Sequence, residues 1–133
     1  MARLVTVLVP LPVLYNVDPA GRRKLVEEAK FRRTAKELAR RFGGGTLWRW
    51  PKGTAPTGYW WSRGILHEDT LAMLEVDIVD TSENRAWFEG WARNVLILRF
   101  RQDAIYLRFY GLGRRMAAVT VVRRERKSKR KLP

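Results

Sequence analysis

The stretch LAMLEVDIVD, residues 71–80, decides the fold that the sequence predicts. Its apolar residues Ala72, Leu74, Val76 and Ile78 alternate with other side chains, and a period of two is that of a β-strand with one buried face. A half-buried strand has to pair with other strands, and its apolar face has to be covered by helices or by a second sheet. The segments on either side of it supply these elements.

The N-terminal third of the chain is predicted to form a strand and a helix. Residues 4–9, LVTVLV, form a β-branched run that predicts a strand buried on both faces and ended by the prolines that follow it. Asp18 and Pro19 predict the start of a helix, as N-cap and first helical residue, and the glycines at 43–45 predict its end. The apolar stripe of this helix consists of Phe31, Ala35, Leu38 and Phe42.

Further elements are predicted around residues 71–80. Residues 46–50 predict a strand, and residues 59–61 are expected to return as the second arm of a hairpin with it. Ser82 is a suitable cap for a second helix that runs to about residue 100. The buried stripe of the second helix is predicted to be Trp87, Trp91, Val95 and Leu98. Strands at 104–110 and 116–122, joined by a glycine-containing turn, complete the pattern.

The order of these elements is that of a split βαβ unit. It predicts an α+β, ferredoxin-like arrangement with two helices packed on one face of an antiparallel sheet. A single domain is expected over residues 1–122, followed by a disordered basic tail over residues 123–133. This architecture hosts many unrelated functions, so it carries no functional claim.

The composition of the 133-residue chain excludes several classes of protein. No apolar run is long enough to span a bilayer, so membrane insertion is not expected. The chain has no cysteine, which excludes disulfides and thiolate sites, and only one histidine, His67. We expect neither a cofactor nor a metal. The apolar N-terminal stretch is broken by two prolines and has no cleavage site after it, so we expect an intracellular, cytoplasmic protein.

Charge is the strongest functional signal in the sequence. The chain has 27 Lys and Arg against 13 Asp and Glu, a net charge of +14, which implies a polyanionic partner, most often nucleic acid. Residues 20–63 hold twelve basic and three acidic side chains, and residues 114–133 hold nine basic and one acidic. Residues 64–92 hold seven acidic side chains and one basic. The chain should therefore have a basic side, a basic tail and an acidic patch.

The leading hypothesis is a small basic protein that binds RNA or DNA mainly through the phosphate backbone. Helix one is expected to supply Arg22, Arg23, Arg32, Arg33, Lys36, Arg40 and Arg41. The tail is expected to supply Arg123, Arg124, Arg126, Lys127, Lys129, Arg130 and Lys131. The aromatic segment 48–61 adds Arg49, Lys52 and Trp60, because interleaved tryptophan and cationic side chains suit stacking on unpaired bases.

Two alternatives stay open at this stage. A small nuclease would use His67, Glu68 or Asp80 as acid, base or metal ligand, although a solvated acidic turn is the simpler interpretation of these residues. A non-catalytic assembly subunit would instead dock an acidic protein partner or form a homo-oligomer. In that case the acidic segment 64–92 of one copy would face the basic segment 20–63 of another.

Overall fold

The computed structural model describes residues 3–111 and 117–125. The strands are β1 (Leu4–Pro12), β2 (Thr46–Trp48), β3 (Thr57–Ser62), β4 (Ile65–Val79), β5 (Ala104–Gly111) and β6 (Ala117–Arg123). The helices are α1 (Glu28–Phe42), α2 (Ser82–Trp91) and α3 (Ile97–Arg99), and a π-helical segment, Ala92–Leu96, joins α2 to α3. None of the helices in these described ranges is both long and apolar enough to cross a membrane.

The strands form one antiparallel sheet in the order β2-β4-β1-β5-β6, and β3 pairs with the first half of β4. The core lies between one face of this sheet and the helices. It contains Val7, Leu74 and Leu107 from three neighbouring strands and Phe31 and Phe88 from the helices, each with no exposed surface. The α+β, ferredoxin-like fold with helices on one face of an antiparallel sheet is therefore confirmed.

Helix α1 begins nine residues later than the Asp-Pro pair predicts. The side chain of Asp18 accepts a hydrogen bond from the backbone N–H of Arg22, and its carbonyl accepts one from Gly21, which has φ of 80°. These bonds close a tight turn. The chain then pairs back through a bridge between Leu14 and Leu25, which competes with helix formation. The predicted end is confirmed, because Gly43 caps α1 in the left-handed conformation with φ of 83°.

Strand β1 continues through the prolines that were expected to end it. Its pairing with β5 reaches only from Val5 to Leu8, whereas its pairing with β4 extends to Pro12. Beyond Leu8 the β5 side of β1 is thus an edge, where the missing N–H of proline is tolerated. The expectation of burial on both faces was wrong for the start of the strand, because Leu4 is 47% exposed.

The predicted hairpin between residues 46–50 and 59–61 was wrong in its partner. Strand β3 pairs with β4, with Ser62 opposite Ile65 and Thr57 opposite Thr70. The turn between them contains only Arg63 and Gly64, both with positive φ, which is the geometry of the tight hairpin turns that favour twisted strands. This short closure lengthens β4 to 15 residues and makes the β3–β4 hairpin project past the end of the sheet.

The second helical stretch covers residues 82–99, close to the predicted span, and its N-cap is Thr81 rather than Ser82. The predicted stripe was only partly right, because Leu98 is 60% exposed. The π-helical segment widens one turn and shifts the buried face that follows it. The buried residues are Phe88, Trp91, Ala92, Leu96, Ile97 and Phe100.

Candidate functional site

A cleft of about 740 Å³ lies at the end of the sheet where β1 ends and β5 begins. The β3–β4 hairpin forms one wall, and residues 16–23 together with residues 101–103 form the other. The lining residues are Asn16, Val17, Asp18, Pro19, Arg23, Trp60, Ser62, His67, Glu68, Arg101, Asp103 and Arg124. Its volume falls in the range of sites for small ligands.

The hairpin wall presents an aromatic surface. Trp60 and His67 are directly opposite each other in the β3–β4 register, and their rings are stacked with centroids 5.4 Å apart. Trp60 keeps 36% of its surface exposed. Tyr59 and Trp61 point to the opposite face of the hairpin, because side chains alternate along a strand. The two adjacent tryptophans therefore face different environments, and only Trp60 lines the cleft.

A buried ion pair supports the base of the hairpin. The Nη2 of Arg23 donates to the Oδ1 of Asp69 at 2.6 Å, and the Asp69 side chain is only 3% exposed. Arg23 also donates from Nε to the carbonyl oxygen of Tyr15, which fixes its guanidinium against the chain after β1. Burial raises the pKa of Asp69, while the hydrogen bond from Arg23 opposes this shift. Carboxyl groups perturbed by burial beside a cleft are concentrated at functional sites.

The opposite wall contains a backbone conformation that side chains rarely adopt. Arg101 has φ of 50°, in the left-handed region where a residue other than glycine costs of order 1 kcal/mol or more. Its guanidinium lies 4.5 Å from the ring centroid of Tyr15, and its carbonyl oxygen accepts a hydrogen bond from the backbone of Asn16. Arg124, at the end of β6, donates its backbone N–H to the carbonyl oxygen of Asp103. Residues 15–16, residues 101–103 and Arg124 are distant in the sequence but contact one another at this wall.

The charges of the cleft are mixed, in contrast to the strongly basic chain. The acidic residues among its lining side chains are Asp18, Glu68 and Asp103, and the basic ones are Arg23, Arg101 and Arg124. Equal numbers of carboxylates and guanidiniums give little net attraction for a polyanion. They suit a ligand that carries both a positive and a negative group.

The structure brings together some of the residues predicted for chemistry and separates others. His67 and Glu68 line the cleft, together with Trp60, which was predicted as a stacking residue. Asp80 lies elsewhere, in an ion pair with Arg85 at 2.6 Å that lowers the pKa of its carboxyl group. Within residues 3–111 and 117–125, no group of three or more acidic or histidine side chains is placed to hold a metal ion.

The residues predicted to bind nucleic acid are distributed over several surfaces. Arg32, Arg33, Lys36, Arg40 and Arg41 are exposed on α1. Arg22 lies before the helix and is exposed, whereas Arg23 is the partner of Asp69.

The remaining predicted cations lie outside helix α1. Arg49 is paired with Glu28 at 2.8 Å, and its guanidinium lies 4.2 Å from the ring centroid of Phe31. Lys52 is exposed in the loop between β2 and β3, and Arg123 and Arg124 are exposed at the end of β6. Arg126, Lys127, Lys129, Arg130 and Lys131 lie outside the described residues, as does most of the predicted disordered tail.

Two charged residues of the wall opposite the hairpin, Arg101 and Asp103, were not among the predicted site residues. Arg101 and Asp103 follow α3 and carry no motif, and the left-handed conformation of Arg101 has no local signal such as glycine or asparagine. Asp69 was available in the run His67-Glu68-Asp69, but its burial depends on Arg23, 46 positions earlier.

A smaller hollow of about 490 Å³ lies between α1 and the second helical stretch. Its polar groups already satisfy one another. Glu37 accepts hydrogen bonds from Arg99 at 2.7 and 2.9 Å and from the indole N–H of Trp91 at 3.0 Å. This network holds the helices together and offers few open polar groups to a ligand, so the larger cleft is the candidate site.

Comparisons with known proteins identify a similar fold but no family. No protein-family model matches the sequence, and no curated protein matches it. Among solved structures, the chain is similar to a phage SAM lyase in its apo state, with a TM-score of 0.57 and 13% sequence identity. The likeness covers 96% of this chain and 94% of that chain. At this level of identity it shows a shared fold and nothing more about this protein.

Proposed function

We propose that the cleft binds a small zwitterionic molecule with an aromatic ring, and that this ligand is SAM, S-adenosylmethionine. The observation that carries the proposal is the exposed indole of Trp60 in a cleft whose remaining walls mix guanidinium and carboxylate groups. The similar fold of a phage SAM lyase nominates SAM among such ligands. The strained backbone of Arg101 at the same cleft adds support, because such strain is concentrated at functional sites.

Each part of SAM has a chemically suitable group in the cleft. The adenine ring can stack on Trp60, as bases do on exposed aromatic side chains. The carboxylate of the methionine part can pair with Arg101 or Arg124, since guanidinium groups match carboxylates with two parallel hydrogen bonds. Asp103 can accept hydrogen bonds from the ribose hydroxyls or the ammonium group. Cleavage of the bound ligand would be an elimination: His67 would accept a proton from the methionine-chain carbon next to the one bonded to sulfur, a C=C bond would form there, and the carbon–sulfonium bond would break with a neutral thioether as leaving group.

Isothermal titration of the full chain with SAM tests this proposal. Trp60→Ala is expected to weaken binding about five- to 150-fold, because stacking on one aromatic ring is worth about 1–3 kcal/mol. Trp61→Ala is the matched control, since Trp61 lies on the opposite face of the same strand and should leave binding unchanged. The same samples, analysed by mass spectrometry, show whether SAM is broken down. Absence of binding heat, or equal loss in both variants, would refute the proposal.

We propose nucleic-acid binding along α1 as a second function of the chain. The observation that favours it is the exposure of five cationic side chains along a 15-residue helix. Lys36 and Arg40 belong to none of the ion pairs formed among the described residues, so they are available to phosphate groups. Phosphate contacts of this kind give affinity with little sequence preference.

Fluorescence anisotropy with single- and double-stranded RNA and DNA over a salt series tests this second function. The double variant Lys36→Glu, Arg40→Glu should lower affinity and reduce the salt slope by about two, because each neutralised phosphate contributes about 0.9 for duplex DNA. Lys24→Glu makes the same kind of change at an exposed residue before α1 and serves as the control. A variant truncated after Val122 measures how much of the nucleic-acid affinity the tail contributes. Binding that is insensitive to salt, or absent at low salt, would contradict the proposal.

A further inference from the structure

The sheet face opposite the helices carries an unusual amount of apolar surface. Side chains on this open face alternate with those of the core along every strand. Its exposed large apolar residues are Leu4, Trp48, Val79, Tyr106, Tyr110 and Val119, each between 38% and 62% exposed. Large apolar side chains exposed on one sheet face, among charged residues, are typical of surfaces that bind other proteins.

Charged residues on the same face form two columns on either side of β1. Leu8 of β1 is opposite Glu75 on β4 and opposite Arg108 on β5. Thr6 is opposite Asp77 on β4 and opposite Tyr110 on β5 in the same way. The acidic column is thus on β4, and the column of hydrogen-bond donors is on β5.

These two columns form no ion pair with each other within one chain among the described residues. Strands β4 and β5 are separated by β1, so their backbones are about 10 Å apart at two strand spacings. Arg108 is exposed and takes part in none of the ion pairs among the described residues, whereas Glu75 accepts only the indole N–H of Trp48 at 2.9 Å. The donor column on β5 therefore faces outward, and the acidic column lies two strand spacings away on β4.

We propose that the open face binds a second copy of this chain. A twofold axis that runs parallel to β1, between two sheets packed face to face, exchanges the β4 and β5 columns at the same height along the strands. Arg108 of each copy then faces Glu75 of the partner subunit, and Tyr110 faces the partner subunit's Asp77. Leu8 lies on its own symmetry mate, so the surface is complementary to itself, as an interface between identical subunits requires.

The usual geometry of packed sheets preserves this pairing. Two aligned sheets cross at about 30° because each sheet is twisted. Each column lies one strand spacing from the twofold axis, so this rotation displaces it by a few ångströms at most. The long side chain of Arg108 spans that displacement. The acidic column argues against a polyanion on this face, since Glu75 and Asp77 would repel phosphate.

Light scattering on the full chain, combined with reciprocal charge reversal, tests the interface. The wild type is expected to have a mass of at least twice the 15.6 kDa of one chain. Arg108→Glu alone and Glu75→Lys alone should each lower the mass to that of one chain, because like charges then face each other. Mixing the two variants should restore association, since every facing pair is again of opposite charge.

Two controls distinguish loss of the interface from a general effect of charge reversal and from loss of folding. Arg32→Glu makes the same charge change on α1, away from the open face, and should leave the mass unchanged. Circular dichroism should show that both reversal variants are folded. A wild type with the mass of one chain would overturn the proposal, and so would association that neither variant weakens or that mixing fails to restore. None of these outcomes depends on ligand binding in the cleft.

Discussion

At the scale of single residues, Glu37 links α1 to the second helical stretch. Its carboxylate accepts hydrogen bonds from Arg99 and from the indole of Trp91, and Arg33 lies 3.6 Å away. The Arg99 side chain is only 9% exposed, so it depends on this partner for compensation of its charge. The hydrogen bond from Arg99 lowers the pKa of Glu37 most, and burial opposes the shift.

This lowered pKa predicts a specific loss of stability in acid. A carboxyl group with a lower pKa in the folded state stabilises the fold above its unfolded pKa, near 4.5, and loses that contribution as the pH falls further. Glu37→Gln should reduce the free energy of unfolding at pH 7 by about 1–3 kcal/mol and flatten its decline in acid. Urea unfolding measured at neutral and acidic pH checks this.

The exposed Glu83, in the first turn of α2, provides the control. Glu83→Gln removes a carboxylate that joins none of the ion pairs among the described residues, so it should lower the free energy of unfolding at pH 7 by less than Glu37→Gln does. If Glu37→Gln and the wild type lose stability in parallel as the pH falls, the proposed contribution of Glu37 is wrong.

At the scale of elements, the β3–β4 hairpin carries the aromatic wall of the cleft. Its position depends on a turn in which Arg63 has φ of 52° and Gly64 has φ of 75°. Positive φ at both central residues matches the right-handed twist of the flanking strands. Glycine adopts it without steric cost, whereas β-branched residues are strongly disfavoured.

We therefore expect Gly64→Val to loosen the hairpin while the core stays folded. Hydrogen exchange of the backbone amides in residues 57–70 should become faster, because pairing between β3 and β4 weakens from the turn inward. Exchange in the centre of β1 should not change. Arg63→Asn is the opposite test: asparagine tolerates positive φ better than arginine, so protection should stay equal or rise. Slower exchange in the Gly64→Val variant would contradict the assigned turn.

At the scale of the whole molecule, the net charge of +14 opposes compaction. Like charges on a folded chain repel one another more than in the expanded state, and this self-repulsion lowers stability. Three of the six ion pairs among the described residues include a side chain that is more than half exposed, so each of these contributes little that salt can remove, and the three more buried pairs are screened less. Screening should therefore relieve more repulsion than attraction.

The melting temperature should consequently rise as sodium chloride is added from low to moderate concentration. Screening becomes strong once the Debye length falls to about 10 Å, near 0.1 M salt. Differential scanning calorimetry measures the change, and potassium chloride at equal ionic strength should give the same shift. A falling melting temperature would show that attractive pairs outweigh the repulsion.

Much of the fold was predictable because its signals are local. The alternation in residues 71–80 and the glycine at 43 depend on neighbouring residues, and both predictions were confirmed. The errors arose where distant contacts competed with local signals. The Asp18 turn forms instead of a helix start because residues 13–26 pair back on themselves. Strand β3 pairs with β4 rather than with the strand at residues 46–50, which was its predicted partner.

By itself, the sequence determined the type and order of the elements, the apolar face of the central strand and the excess of basic charge, since these properties belong to single residues and their near neighbours. Only the tertiary structure decided the cleft and the open face. Arg23 reaches Asp69 across 46 positions, and Trp60 lines the cleft only because β3 pairs with β4. Likewise, Glu75 and Arg108 share a face on either side of β1 because of the strand order, which depends on packing across the whole chain.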